Sequence, residues 1–222
     1  MVYFVGLDLG QSADYTALAV LQTAWERNDE GKRQKYLHLR HLERYPLRTP
    51  YTEIADGVRA LLTGPPFTED EYDPTRHRIA KPKVELLVDK TGVGVAVTDL
   101  LKERRLRFTP VTIHGGEKVT RNKGTYNVPK GDLVAALEVP FHTGALKVAG
   151  GLELWGVLRK ELQNFRRKVN LRTAHTSYEH WREGDHDDLV LACALACWGA
   201  TARRGSGALR LLNAQQAARY GI

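Results

Sequence analysis

The sequence predicts a mixed α/β fold, with one central sheet and helices on both faces. The first 45 residues form three consecutive strand-like segments, which favours antiparallel pairing. Later segments alternate between apolar strand-like runs and helical patterns, as is typical of parallel strands joined by helices. No Pro/Ser-rich linker or internal repeat divides the 222 residues. We therefore expect one domain over residues 1–204 and a peripheral tail at 205–222.

The individual elements are assigned from the period of their apolar residues. Five strands are predicted, at 2–9, 15–23, 35–45, 84–90 and 107–115. Five helices are predicted, at 52–62, 95–104, near 130–139, near 151–165 and at 184–204. The last helix is apolar nearly all round, so we expect it to be buried. Three connecting segments remain: a surface loop at 63–83, a basic loop at 115–129 and a β-hairpin at 166–181.

Composition limits the possible partners and the compartment. The net charge is +7 and the sequence pI is about 9.4, which makes an anionic partner such as nucleic acid plausible. Cys193 and Cys197 share one helical face without a second Cys/His pair, so we expect buried structural thiols and a reducing cytoplasm. Met1 leads directly into a strand-like run, so no signal peptide is expected. The apolar run 189–200 is too short to span a bilayer, and no membrane partner is expected.

Several aspartates lie where a sheet of this kind forms its ligand-binding crevice. Asp8 lies inside the first strand among apolar residues, Asp89 ends a later strand, and Asp187 and Asp188 begin the last helix. The carboxyl ends of strands and the starts of helices line such crevices. Carboxylates brought together there repel one another unless they take up protons or hold a cation. Their oxygens suit Mg²⁺ or Mn²⁺, and two such ions can flank a phosphodiester.

Simpler structural roles are open for most of these aspartates. Asp187 or Asp188 can be the N-cap of the last helix, since Asp is favoured there. Asp89 can be a turn residue before "TGVG", and Asp14 can be a turn aspartate after "GQSA". Asp8 is the hardest to explain in this way, because it lies before any turn begins. Asp8 is therefore the strongest indication of a functional site.

Three motifs, in order, resemble the nuclease domain of bacteriophage terminase large subunits, which belongs to the ribonuclease H-like superfamily. They are "GLDLGQSADYTALAVL", "LLVDKTGVG" and "HDDLVLACALA". The intervening segments "YNVPKGDLV" and "LRKELQNF" agree with the same pattern, and the resemblance extends over residues 3–203. "DxG" alone is a common motif, whereas the ordered set with this spacing is fairly specific.

The resemblance implies metal-dependent cleavage of double-stranded DNA, as in cutting concatemeric phage genomes during packaging. The residues that match the family's catalytic metal ligands are Asp8, Asp89 and Asp188, with Asp187 as the close alternate. Asp14 falls where the family often has a further acidic residue that helps to hold a second ion. The implied cofactor is Mg²⁺ or Mn²⁺, with two ions expected.

The resemblance also implies partners that this chain does not itself contain. A full terminase large subunit has an ATPase motor with a GxxxxGK[ST] loop, and no such stretch is present in the 222 residues. The 222 residues are therefore expected to be either an excised nuclease domain or a free-standing relative. The expected partners are duplex DNA, a packaging ATPase motor, the portal and the small terminase subunit, in a host cytoplasm. His186 is expected either to orient phosphate or water, or only to neighbour the helix cap.

Basic residues form two groups that could clamp duplex phosphates beside the acidic crevice. One group surrounds the loop after the strand at 107–115 and consists of Lys118, Arg121, Lys123 and Lys130. The other lies in the predicted hairpin and consists of Arg166, Arg167, Lys168 and Arg172. Contacts of this kind are independent of base sequence and sensitive to salt. Charge runs are often only solvated surfaces, and "KERRLR" at 102–107 is better explained in that way.

Other functions remain open from the sequence. A Holliday-junction resolvase or a transposase-like nuclease would use the same acidic chemistry on a different DNA shape. The first motif also resembles the phosphate loop of actin-like sugar kinases and ATPases, although these usually need two such domains. A module that only docks DNA to a motor would leave the carboxylates without a role.

Overall fold

The structure is a computed structural model that describes residues 1–10, 14–73, 77–92, 94–170 and 186–201. The described strands are β1 Val2–Asp8, β2 Ala17–Arg27, β3 Arg33–Arg44, β4 Glu71–Asp73, β5 Arg78–Ala80, β6 Lys83–Asp89, β7 Phe108–His114, β8 Thr120–Asn122, β9 Thr125–Pro129 and β10 Leu146–Val148. The described helices are α1 Tyr51–Leu62, α2 Gly94–Glu103, α3 Lys130–His142, α4 Trp155–Asn170 and α5 Asp188–Thr201.

Eight of the strands form one mixed sheet in the order β10-β3-β2-β1-β6-β7-β9-β8. Strands β1, β2 and β3 pair antiparallel, whereas β1, β6, β7 and β9 run parallel to one another. The predicted sequence of antiparallel strands followed by parallel strands is therefore confirmed. Strand β1 lies at the centre, between the two halves of the sheet.

Three connecting segments differ from their prediction. The segment 63–83 contains the small β4–β5 hairpin, and 115–129 contains β8 and β9, the latter paired parallel to β7. The first five residues of the predicted hairpin at 166–181 continue α4 to Asn170, so that part of the prediction is wrong. Strands β4, β5 and β8 have three residues each and are too short to show an apolar period, which explains why they were missed. Residues 171–181 of the predicted hairpin and the predicted tail lie outside the described residues.

Helices cover both faces of the sheet, as predicted, and each face has its own apolar core. Side chains of β1 alternate between them: Val5 and Leu7 pack with α1 and α2, whereas Phe4 packs with α3, α4 and α5. Cys193 and Cys197 are free thiols buried in α5, which confirms their expected burial. No helix among the described residues is both long and apolar enough to cross a membrane.

Gly6 brings α5 onto β1 at close range. A Cβ atom placed on Gly6 would lie 2.0 Å from the carbonyl oxygen of Ala192 and 2.9 Å from the backbone nitrogen of Ala196. The absence of a side chain therefore lets the helix backbone rest almost directly on the strand. This contact fixes where the beginning of α5 lies relative to the end of β1.

Candidate functional site

Asp8 and Asp89 end two neighbouring parallel strands at the same register. Asp8 is the partner of Asp89 in the β1–β6 ladder, and each residue is only 7% exposed. Side chains at the same register of adjacent strands lie on the same face of a sheet. For Asp8 and Asp89 this is the α5 face, because Phe4 of β1 and Leu87 of β6 belong to the core on that side. The structure thus brings the first two predicted site residues together.

Asp188 reaches the same place from α5. It is the first residue of this helix and is 5% exposed. One helical turn separates Asp188 from Ala192, and two strand residues separate Asp8 from Gly6, so the Gly6–Ala192 contact places both carboxyls on one side. Asp188 Oδ2 is buried and accepts no hydrogen bond from any described residue. His186 Nδ1 lies 3.7 Å from this oxygen.

Electrostatic interactions show the convergence of the acidic residues on Asp8. Burial raises the pKa of Asp8 well above its usual value, and the negative charges of three further residues raise it more: Asp89, Asp188 and Asp187. Lys130 lowers the same pKa. A carboxyl group in this position is difficult to ionise unless a cation joins it.

Asp188 is also shifted towards its protonated form. Burial, then the negative charge of Asp187 and more weakly that of Asp14, raise the pKa of Asp188 to about 7. Arg44 and the residue's own backbone N–H act in the opposite direction. Asp14 is therefore close enough to Asp188 to influence its charge, although it comes from the segment between β1 and β2.

Asp187 and Lys130 form a second layer of charge at the cluster. Lys130 Nζ lies 3.7 Å from Asp187 Oδ2, and the Lys130 side chain is only 14% exposed. Lys130 begins α3 directly after β9, a strand parallel to β1 and β6, so it lies at the same edge of the sheet. The sequence predicted a phosphate contact beside the acidic crevice for Lys130, and in the structure this side chain lies against Asp187 of the cluster.

Thr91 holds the Asp89 carboxylate in place. Its backbone N–H and its hydroxyl both donate to Asp89 Oδ1, at 2.8 and 2.5 Å. The hydroxyl in turn accepts a hydrogen bond of 2.8 Å from the backbone N–H of Ile113, on β7. Nothing local to the "TGVG" motif predicts the bond from β7 to the Thr91 hydroxyl.

A buried ion pair between Arg44 and Glu161 lies beside the cluster. The Arg44 guanidinium donates to Glu161 Oε1, and Glu161 Oε2 accepts the backbone N–H groups of Leu189 and Val190 at 3.1 and 3.3 Å. The guanidinium also stacks 4.7 Å from the ring centre of Tyr15. Sequence analysis assigned no role to Arg44 or Glu161, because residues 117 positions apart give no local signal of their pairing.

The other predicted DNA-binding residues are spread over the molecule. Lys118 precedes β8 at the edge of the sheet that carries Asp8 and Asp89, here called the acidic edge. Lys123 occupies the β8–β9 turn at the opposite end of these strands. Arg121 stacks on the ring of Tyr126 at 4.9 Å. Three of the second group lie in α4 (Arg166, Arg167 and Lys168), and Arg172 lies outside the described residues. The first group thus does not form one continuous patch.

The chemistry of the donor set fits a hard divalent cation. Asp8, Asp89 and Asp188 offer buried carboxylate oxygens from three separate elements, and the Oδ2 of Asp188 has no hydrogen-bond donor among the described residues. Mg²⁺ and Mn²⁺ prefer ligands of this type. Within the described part of the chain, however, no group of three or more His, Cys, Asp or Glu side chains is arranged to hold a metal ion as it stands. Movement of these side chains would therefore have to accompany metal binding.

Comparison with known proteins gives a fold relationship. No protein-family model matches the chain, and no curated protein matches it. The large terminase nuclease from the thermophilic phage G20c is 19% identical with a TM-score of 0.51, over 89% of this chain and 81% of that one. RuvC from Thermus thermophilus is 16% identical, with a TM-score of 0.37, over 91% and 96% of the chains. The Mn-bound nuclease domain of the bacteriophage SPP1 large terminase, g2p, is 12% identical, with a TM-score of 0.44, over 90% and 86%.

The chain is thus an α/β protein with a ribonuclease H-like fold, as its sequence predicted. Its fold is similar in particular to that of the G20c large terminase nuclease. At this level of identity, the likeness establishes architecture, and the chemistry has to be argued from the residues themselves.

Proposed function

We propose that this protein is a divalent-metal-dependent endonuclease that hydrolyses phosphodiester bonds in double-stranded DNA. The observation that carries the proposal is the convergence of Asp8, Asp89 and Asp188 at one edge of the sheet, where the neighbouring negative charges and burial raise the pKa of Asp8. Such crowding of carboxylates destabilises the metal-free fold, whereas it favours the binding of a cation. The terminase-like fold supports the same class of reaction.

The three buried aspartates would hold Mg²⁺ or Mn²⁺, and Asp187 and Asp14 would complete the negative field for a second ion. Bound divalent ions supply an activated water and stabilise the charge that develops on the phosphate oxygens. The Thr91 bonds to Oδ1 fix the orientation of the Asp89 carboxylate at the end of β6. Lys130 offsets part of the negative charge of the cluster, since it lies beside Asp187 and lowers the pKa of Asp8.

Duplex DNA is the proposed substrate, and a packaging motor is the proposed setting. The net charge of +7 favours an anionic partner despite the acidic site. These 222 residues contain no phosphate-binding loop of the GxxxxGK[ST] type, so DNA movement would depend on an ATPase motor outside them, working with the portal and small subunit. The host cytoplasm is the corresponding location.

Plasmid cleavage tests this proposal directly. We expect supercoiled plasmid to be nicked and then linearised in Mn²⁺ or Mg²⁺, and to stay intact with EDTA. Asp8→Asn should lower the rate by at least about a hundredfold, since it removes a charged ligand from the centre of the cluster. Asp29→Asn, at an exposed position of the β2–β3 turn, is the matched control and should cleave at the wild-type rate.

Two results would contradict the proposal. Cleavage that persists in EDTA would mean that the carboxylates do not act through a metal. An Asp8→Asn variant as active as Asp29→Asn would separate the acidic cluster from catalysis. A four-way junction assayed beside linear duplex decides the substrate shape, and strong preference for the junction would replace the terminase-like substrate with a resolvase-like one.

A further inference from the structure

Glu161 occupies the position of a helix cap for α5 while belonging to another helix. The carbonyl of Asp187 accepts the N–H of Leu191, which makes Asp187 the N-cap residue of α5. An N-cap side chain normally accepts the N–H groups two and three positions further on. In this protein those are the N–H groups of Leu189 and Val190, and both donate to Glu161 Oε2.

Glu161 thus caps the first turn of α5 from a neighbouring helix, while both aspartates at the start of α5 lie at the acidic cluster. Asp187 lies beside Lys130, and Asp188 keeps an oxygen without a hydrogen-bond donor among the described residues. The sequence left the N-cap role open for either aspartate. The structure places Asp187 at the N-cap position, whereas the carboxylate that accepts the N–H groups of Leu189 and Val190 belongs to Glu161.

Arg44 fixes Glu161 in this place. The Glu161 side chain is 6% exposed, and a buried carboxylate needs a charged or hydrogen-bonded partner on each oxygen. Arg44 pairs with Oε1 and is itself held between Glu161 and the Tyr15 ring. Tyr15 in turn contacts the His186 ring at 4.7 Å between ring centres, next to Asp188. The network therefore encloses the first turn of α5 from β3, α4 and the segment before β2.

We propose that Glu161, anchored by Arg44, is a positioning residue that fixes the first turn of α5 so that Asp188 is held ready to bind a metal ion. The proposal rests on the proposed function for the role of Asp188. It adds a residue that touches neither metal nor DNA and acts only through the backbone of α5. Outer partners that orient ligands in this way typically change metal affinity by about 10- to 100-fold.

Glu161→Gln tests this role, because the amide keeps the shape of the side chain but removes its charge and weakens its hold on Arg44. We expect the Mn²⁺ concentration for half-maximal cleavage to rise about tenfold or more. We expect KM for DNA to stay within about twofold, since the buried Glu161 side chain is not exposed to a bound duplex. Mn²⁺ binding measured by calorimetry without DNA should weaken by the same factor as the metal requirement.

Two control variants separate positioning from simple loss of stability. Glu153→Gln removes an exposed carboxylate shortly before α4 and should change nothing. Leu158→Ala removes a buried apolar side chain from α4, so it lowers stability without touching the Glu161 bonds. All variants are compared at a temperature well below the lowest of their unfolding midpoints.

The outcomes distinguish this proposal from the proposed function. A Leu158→Ala variant with the same rise in Mn²⁺ requirement as Glu161→Gln would overturn the positioning role, as would an unchanged requirement in folded Glu161→Gln. A Glu161→Gln chain that stays unfolded in the cold would also overturn it, by giving Glu161 a purely structural role. If the wild type binds Mn²⁺ but cuts no DNA, the nuclease proposal fails, and Glu161 is then judged on Mn²⁺ affinity alone.

Discussion

Asp8 shows how a functional residue can oppose folding at the scale of a single side chain. Its strand neighbours Leu7 and Leu9 point into the core on the other face, which is why the stretch reads as apolar around a carboxylate. Asp8 itself faces α5 and three other acidic groups. A residue chosen for folding alone at this position would be uncharged.

Asp8→Asn should therefore stabilise the metal-free protein. We expect the free energy of unfolding at pH 8, measured by urea titration with EDTA present, to rise by about 0.5–2 kcal/mol, because the repulsion from the neighbouring aspartates is removed. Asp29→Asn should leave it unchanged. A clear loss of stability in Asp8→Asn would mean that the carboxylate makes a favourable contact in the fold.

Thr91→Val tests the orientation of Asp89. The substitution keeps the β-branched shape but removes the hydroxyl that links Asp89 to the Ile113 amide. We expect the Mn²⁺ concentration for half-maximal cleavage to rise by about 10- to 100-fold. Thr98→Val, on α2, is a comparable change at another buried threonine. Equal effects of the two variants would assign the Thr91 effect to general stability.

At the scale of elements, the long periodic segments were predictable and the short strands were not. The apolar helix α5 and the buried strand β6 were recognised because each carries a clear pattern over its length. Strands β8 and β10 have three residues each and exist through pairing with distant strands. Their conformation is set by tertiary context, which a local pattern does not contain.

Gly6→Ala should destabilise the contact between β1 and α5. The added methyl group would overlap the backbone carbonyl of Ala192. Neither group can rotate away, because the methyl is fixed to the β1 backbone and the carbonyl belongs to the α5 backbone. We expect a loss of about 1–3 kcal/mol or more in the free energy of unfolding. Gly156→Ala, where a Cβ meets nothing within 4 Å in α4, is the control and should be neutral or stabilising by about 0.5–1 kcal/mol. Similar effects at both glycines would contradict the close packing at Gly6.

The positions of Lys118 and Lys123 predict different contributions to DNA binding. Lys118 lies at the acidic edge and Lys123 lies at the far end of the β8–β9 hairpin. We expect Lys118→Ala to reduce the slope of log affinity against log salt by about 1, as for loss of one phosphate contact. Lys123→Ala should leave the slope unchanged. Fluorescence anisotropy with duplex DNA across a salt series measures both, and equal slopes for the two variants would remove Lys118 from the interface.

At the scale of the whole molecule, the sequence predicted the fold class and the residues that converge, but not what holds them. The order of the motifs in the sequence was sufficient to predict that Asp8, Asp89 and Asp188 lie together at one edge of the sheet. The supports of that edge, Thr91 and the Arg44–Glu161 pair, join residues that are distant in sequence. Their pairing depends on how helices and strands pack, so no spacing rule reveals it.

Stability of the metal-free protein should depend on pH through the acidic cluster. The folded pKa of Asp188 is about 7, above its ordinary value of 3.8, and that of Asp8 is raised well above the same value. As pH rises, the unfolded chain therefore releases these protons at a lower pH than the folded protein does. The stabilisation of the folded state by these protonated carboxyl groups is complete below pH 3.8 and is lost as pH rises through about 7. In EDTA, the urea concentration at the midpoint of unfolding should fall as pH rises across this range. Adding Mn²⁺ at high pH should restore it. A flat profile in EDTA would contradict the raised values.

The matched register of Asp8 and Asp89 also limits where residues can be inserted into or deleted from the sequence. One residue inserted into either strand upstream of its aspartate would turn that carboxyl to the opposite face, away from its counterpart. Two inserted residues would restore the face but displace the carboxyl by about 6.6 Å, more than the roughly 4.8 Å between adjacent strands. Insertions and deletions are therefore forbidden in these strands, whereas the β2–β3 turn, at the other end of the sheet, is free to accept them.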